Sequence, residues 1–180
     1  KVRLWSPEFG SISKIRKQQA FFSKSAKGSQ WIAEILSRRI EGMIEVATSL
    51  EISHTDSIDA STQKLEKVRQ KIQAWGKTAE ALNPENSARL RAWEGSAAKA
   101  YFQLLSASLP PPLPFKKRSR RPAKDPFNCM LNYAYGILYG RLAGIDPYMG
   151  VFHRDNYNRP VLVYDCIESY RHWAESVVQA

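Results

Sequence analysis

Four side chains in this sequence could do chemistry together. His153 follows Gly150-Val151-Phe152 and precedes the polar stretch Arg-Asp-Asn-Tyr-Asn-Arg-Pro at 154–160, which sets its imidazole at the rim of a core with water on one side. Pro160 can open a helix, because its missing N–H is not needed in the first turn. In such a helix Asp165 and Glu168 lie three positions apart and project from one face. Two carboxylates held that close repel each other unless a cation or a proton sits between them. Glu94 adds a further acid, flanked by Trp93 and Gly95 in an apolar stretch where an unpaired carboxylate is costly. A divalent ion would resolve both conflicts. The plainer reading of the same residues is a satisfied structural histidine and a solvated acidic face, and the spacing alone does not separate the two.

The elements that must gather these residues are legible from apolar periodicity. Residues 14–27 read as a short basic helix around Ile15, Phe21 and Phe22. From 30 to 50, Ile32, Ile35, Leu36, Ile40, Met43, Ala47 and Leu50 recur at helical spacing and define one buried stripe, with Arg38, Arg39, Glu41 and Glu45 facing outward. After a break containing His54, read as a surface residue, a second long amphipathic helix carries Ile58, Leu65, Ile72, Trp75 and Leu82. Asn83-Pro84-Glu85 supplies an N-cap, a proline at the first helical position and an acid in the first turn. The helix it starts runs to about residue 107, with Glu94 in its middle and Gly95 leaving room for close backbone approach. Asp125-Pro126 starts another, through Phe127, Leu131, Ile137 and Leu138 to Leu142. No strand-rich segment, Gly-rich phosphate loop, HExxH or zinc-ribbon spacing occurs. The expectation is an all-α fold in which residues 1–10 are a linker or the end of a preceding domain and 11–180 form one multi-helix domain.

Between the last two long helices the composition changes abruptly. Residues 109–124 run from Leu-Pro-Pro-Pro-Leu-Pro into Lys116, Lys117, Arg118, Arg120, Arg121 and Lys124. This is a loop, extended at its proline end, and either a solvated connection or an arm that contacts phosphates. The whole chain carries a formal charge of +10, from 27 Lys and Arg against 17 Asp and Glu, which favours a polyanionic partner through counterion release. Nucleic acid leads, and an anionic membrane surface comes second. A hydrophobic content of 43% excludes disorder as the default. Cys129 and Cys166 sit in apolar surroundings without CxxC spacing, as buried free thiols in a reducing compartment would. With no apolar run of about 18 residues and no signal-peptide core, the expectation is a soluble, cytoplasmic protein.

Taken in order, Glu94-Gly95 with Tyr101-Phe102, the basic loop running into Asp125-Pro126-Phe127-Asn128, Gly144-Ile145-Asp146-Pro147 with Gly150-Val151-Phe152-His153, and Leu162-Val163-Tyr164-Asp165-Cys166-Ile167-Glu168 with Arg171 resemble the CRISPR-associated integrase. That is the larger, universal subunit of the spacer-acquisition machinery. The resemblance implies an all-α catalytic domain that binds one divalent metal, Mn²⁺ or Mg²⁺. Glu94, His153 and Glu168 match the family's ligands, and Asp165 is the additional acid one helical turn away. It further implies a nuclease and integrase that joins the 3′-hydroxyl ends of short DNA duplexes to the CRISPR array by transesterification, working as dimers bridged by a small CRISPR-associated partner with a ferredoxin-like fold. The sequence departs from the family at both ends. Beside that family, this stretch reads as one without the usual N-terminal β-domain and the helices after the final signature, and the expectation is a fragment, a fusion part or a minimal form.

In this reading Lys116, Lys117, Arg118, Arg120, Arg121 and Lys124, with Arg154 and Arg159 after His153, hold a DNA backbone without reading bases. Tyr133 and Tyr135 could stack on a frayed base, although packing is the commoner fate of helix aromatics. Two rival readings keep the same residues. One is a mobile-element integrase with the same chemistry on other DNA ends; the other is an inactive helical DNA-binding or scaffold module.

Overall fold

The computed structural model describes residues 12–50, 55–110, 113, 115–141, 150–153 and 161–179. His54, Arg154, Arg159, Pro160, residues 1–10 and the Gly144-Ile145-Asp146-Pro147 motif lie outside them. All regular structure among the described residues is helical: α1 Ile12–Ser23, α2 Ala26–Ser49, α3 Thr55–Lys77, α4 Pro84–Ser108, α5 Pro126–Arg141, α6 Val161–Ile167 and, after a 3₁₀ turn Glu168–Tyr170, α7 Arg171–Gln179. The all-α expectation holds. None of these helices is long and apolar enough to cross a membrane.

The boundaries follow local chemistry. The stretch expected as one basic helix to residue 27 breaks at 24–25, because the Ser25 side chain accepts a hydrogen bond from the Gly28 N–H and caps a new helix. Asn83 and Asn86 form a reciprocal capping box, each side chain bonded to the other's backbone N–H at 2.8 Å, with Pro84 at the first helical position.

Helix α2 is the axis of the fold. It packs along α3 and also meets α4, α6, the 3₁₀ turn and α7, while α5 lies against α7. Ile32, Leu36, Ile40 and Met43 of α2 are buried against Leu65 and Ile72 of α3 and Leu90, Ala97, Tyr101 and Leu105 of α4. Gly42 permits the crossing of α2 and α7, since a Cβ there would lie 2.3 Å from the His172 ring. Gly95 plays no such role, because a Cβ built on it meets nothing within 4 Å.

An aromatic run fixes the start of the basic loop: Tyr101, Phe102, Phe115 and Phe127 follow one another at ring separations of 5.6, 5.8 and 4.7 Å. Phe115 is buried between α4 and α5, and its carbonyl accepts from the Ser106 hydroxyl, so the chain leaves α4 anchored before its charged residues begin.

Candidate active site

Helices α2 and α4 and the 3₁₀ turn bring three charged side chains into direct contact. One nitrogen of Arg39, Nη1, donates to Oε1 of Glu94 and to Oε2 of Glu168, so the two carboxylates lie side by side on one guanidinium. The outward orientation expected for Arg39 is corrected: it is 3% exposed and points into the core side of α2. Burial works against its charge, yet Glu168, Glu94 and Glu175 hold its pKa above the ordinary arginine value. Glu94 is likewise opposed by burial and kept below the usual carboxylate range by Arg39, Arg171 and His153. Arg171 completes the group, with Nη2 2.7 Å from Oε1 of Glu168. That approach is off the line of a hydrogen bond, so the buried Oε1 has no hydrogen-bond donor among the described residues.

Asp165 does different work from Glu168. It is fully buried, and its Oδ2 accepts the backbone N–H groups of Val151 at 2.6 Å and Phe152 at 3.0 Å. Its Oδ1 accepts the N–H of His153 at 3.2 Å and lies 2.7 Å from His153 Nδ1. A carboxylate there makes Nδ1 the protonated nitrogen and leaves Nε2 as the acceptor. Desolvation pulls the His153 pKa down, but the hydrogen bond and charge of Asp165, with Glu168 and Glu94 beyond, raise it above its ordinary value. The expectation that Asp165 and Glu168 share one face is met only loosely, because the helix tightens to 3₁₀ at Glu168 and the two acids serve different partners.

Glu94, His153 and Glu168 line one cleft of about 800 Å³. Its other walls are Arg118, Arg120, Arg121, Asn132, Tyr135, Gly136, Tyr139, Tyr164 and Arg171. The three residues come together as donors around a shared space. As the side chains stand, no set of three His, Cys, Asp or Glu among the described residues could hold one ion. The guanidinium of Arg39 occupies the position between the two acids.

The basic loop is held by side chains. Asn128, fully buried, donates to the Lys117 carbonyl and to Asp125, and its Oδ1 accepts from Ser119 N–H and Arg118 Nη1, each at 2.8 Å. One helical turn on, Asn132 accepts from Arg118 Nη2 at 2.6 Å and donates to the Arg120 carbonyl at 2.8 Å. Arg118 also lies over the Tyr135 ring, 5.3 Å from its centroid, and Arg171 lies 5.0 Å from the same centroid. The loop is therefore a fixed wall of the cleft. Arg120 and Arg121 are exposed on it, whereas Lys116, Lys117 and Lys124 are exposed without lining the cleft.

Beneath the cleft, Tyr135 donates its hydroxyl to the fully buried Glu175 of α7. Burial and that carboxylate raise the Tyr135 pKa. Of the two tyrosines considered for stacking, Tyr135 is thus packed, and Tyr133 is 75% exposed away from the cleft. The less buried tyrosine rings on the cleft wall are Tyr139 and Tyr164, edge-to-face at 5.3 Å. The expected burial of both cysteines is also corrected: Cys129 is exposed on α5, since it sits on the side of the helix away from Phe127 and Leu131, and Cys166 is half-buried.

Residues 1–180 match the family model described as CRISPR associated protein Cas1. The chain belongs to the Cas1 family. An Archaeoglobus fulgidus CRISPR-associated endonuclease Cas1 is 31% identical over 94% of this chain and 53% of its own length. A Thermus thermophilus CRISPR-associated endonuclease Cas1 is 38% identical over 61% of this chain and 36% of its own. Among solved structures, a partial Cas6-RT-Cas1–Cas2 complex aligns with a TM-score of 0.74 and 30% identity over 89% of this chain and 48% of the other. The chain spans about half or less of these Cas1 relatives.

Arg39 and Glu175 are site residues that sequence reasoning missed, as are Asn132, Tyr139 and Tyr164 on the cleft wall. A signal existed for the first: Arg39 falls between Leu36 and Met43 on the apolar stripe of α2, where a charge requires a buried partner.

Proposed function

We propose that this chain is the catalytic helical part of a Cas1 integrase and endonuclease of CRISPR adaptation. It would join 3′-hydroxyl ends of short duplex DNA to a CRISPR repeat by transesterification, with hydrolytic cleavage as the companion reaction. The observation that carries the reading is that Glu94, His153 and Glu168, from α4, the turn after Gly150 and the turn after α6, open into one cleft walled by Arg118, Arg120, Arg121 and Arg171. By analogy with the Cas1–Cas2 complexes it resembles, its partners are the small ferredoxin-like CRISPR-associated subunit, a second Cas1 protomer and double-stranded DNA.

In kind, though not as the side chains now stand, the donor set suits a divalent ion once Arg39 gives way. Two adjacent carboxylates, one with a buried oxygen that faces Arg171 without a hydrogen bond, line the same space as an imidazole whose Nε2 is an acceptor. Glu94, His153 and Glu168 would hold the ion, and the mixed oxygen and imidazole set accepts Mg²⁺ but suits Mn²⁺ better. When bound, it supplies a Lewis acid for the phosphoryl oxygen and a template for in-line displacement. The chain supplies the rest. Asp165 fixes the tautomer and direction of His153. Arg120 and Arg121 hold the phosphate backbone at the cleft mouth without reading sequence. Tyr139 and Tyr164 offer ring faces to an unpaired end.

The deciding experiment incubates the chain with a 3′-hydroxyl duplex and a repeat-bearing supercoiled plasmid in Mn²⁺, with calorimetric titration of the ion alongside. Joined or cleaved DNA and one Mn²⁺ per chain support the reading. A chain that binds DNA but no Mn²⁺ is a scaffold, and the proposal fails.

A further inference from the structure

Arg39 occupies the place where the carboxylates of Glu94 and Glu168 converge, and it is buried with them. A guanidinium cannot leave by losing its proton, because arginine stays charged at any working pH. Anything else that binds this pair must therefore move it. A displaced buried arginine needs another anion, since an unpaired buried charge is strongly destabilising.

One anion is in place. Glu175 is fully buried on α7, and its charge already acts on Arg39. Tyr135 engages Oε1, while Oε2 has no hydrogen-bond partner among the described residues. Tyr101 of α4 also directs its hydroxyl toward this carboxylate, and burial together with the charge of Glu175 raises its pKa. Nε of Arg39 is buried and unbonded as well. The structure thus holds, buried on two helices that pack together, a cation whose Nε is unbonded and an anion whose Oε2 is unbonded.

We infer that Arg39 is an internal counter-ion that holds Glu94 and Glu168 together until a divalent ion binds, and that its guanidinium then passes to Glu175. Arg39 and Glu175 are accordingly positioning residues that set metal affinity without ligating the ion. The inference rests on the metal-site reading above, and it adds two things: the ion competes with a built-in cation, and a carboxylate outside the ligand set sets the strength of that competition.

The test is a double-mutant cycle read by calorimetric Mn²⁺ affinity on the full chain, with circular dichroism to confirm folding. Arg39→Met should bind Mn²⁺ about tenfold or more tighter than wild type, and Glu175→Gln about tenfold weaker, as groups in one coupled network do. In the Arg39→Met background, Glu175→Gln should change affinity by less than about twofold, because there is no guanidinium left to receive. Equal weakening by Glu175→Gln with and without Arg39 would reduce its effect to simple charge and overturn the inference. So would weaker binding by Arg39→Met. In either case one Mn²⁺ per wild-type chain leaves the metal site standing, whereas no binding by any variant removes both. If Arg39→Met does not fold, wild type against Glu175→Gln decides alone, and unchanged affinity overturns the inference.

Discussion

Glu168 and Arg39, 129 residues apart in sequence, meet in a contact that excludes solvent on both sides, with side chains 2% and 4% exposed. Glu94 shares the same guanidinium from a position that is 21% exposed. The burden of neutralising Arg39 is therefore unequal. Removing Glu168 leaves a buried cation half-paired, and Glu168→Ala should cost about 3–5 kcal/mol by urea unfolding. Glu94→Ala should cost clearly less, because water can reach its place. Equal losses would contradict the difference in burial.

Glu94→Ala and His153→Ala should each lower Mn²⁺-dependent joining or cleavage by roughly 10² or more. DNA affinity should stay within about twofold, since phosphate contacts come from the basic wall. Gel-based strand transfer and fluorescence anisotropy read the two quantities separately. Full activity in either variant would refute the assignment.

Asp165→Asn tests orientation. The amide can still accept from His153 Nδ1, but its NH₂ cannot accept the backbone N–H groups that Asp165 now binds. Mn²⁺ affinity should fall roughly 10- to 100-fold, the usual cost of removing the partner that orients a metal-binding histidine. Calorimetry of the variant checks this. Unchanged affinity would leave Asp165 a purely structural cap.

Neutralising Arg120 and Arg121 should flatten the log–log salt dependence of DNA binding, by about 0.9 for each phosphate they no longer neutralise. Asn128→Ala should weaken binding although every basic residue remains, because the loop is no longer held at Arg118, Ser119 and Lys117. Anisotropy at several salt concentrations distinguishes them: the arginine variants change the slope, and a slope untouched by them would place the DNA elsewhere.

Without divalent ions, stability should depend on pH in two opposite ways. Glu94 has its pKa lowered below 4.5, so its contribution is present above that value and is lost as pH falls through the lower folded value. His153 has its pKa raised above 6.5, so its contribution is full below 6.5 and is lost as pH rises through the raised folded value. Their joint support is greatest between those ordinary values. Urea unfolding in EDTA across roughly pH 4 to 9 should show wild type losing its advantage over His153→Gln on the alkaline side. A constant difference would mean that Asp165 does not favour the imidazolium.

The helices are legible in the sequence because apolar residues at helical spacing, the Asn83-Pro84 start and the Asp125-Pro126 start are local signals. That Glu94, His153 and Glu168 share a cleft is legible only through the ordered motifs, since nothing local to Glu94 points 59 and 74 positions ahead. Arg39 reads as outward-facing because charge on a helix usually is; here the acids of α4 and the 3₁₀ turn reach it from the far side of the stripe. Asn128, Asn132 and Tyr135 recur on α5 at spacings of four and three, and that polar line on an apolar helix is the unread sign that the basic loop is tied down.

The crossing of α2 and α7 leaves no gap between backbone and imidazole at Gly42 and His172. Arg39 lies three positions before that glycine, and Glu168, Arg171 and Glu175 all lie within four of that histidine. The pitch at which these opposite charges interlock is thus inherited from a residue that carries no charge and no side chain. One methyl group added there would act as a shim, detuning the electrostatics of the site from outside the cleft wall.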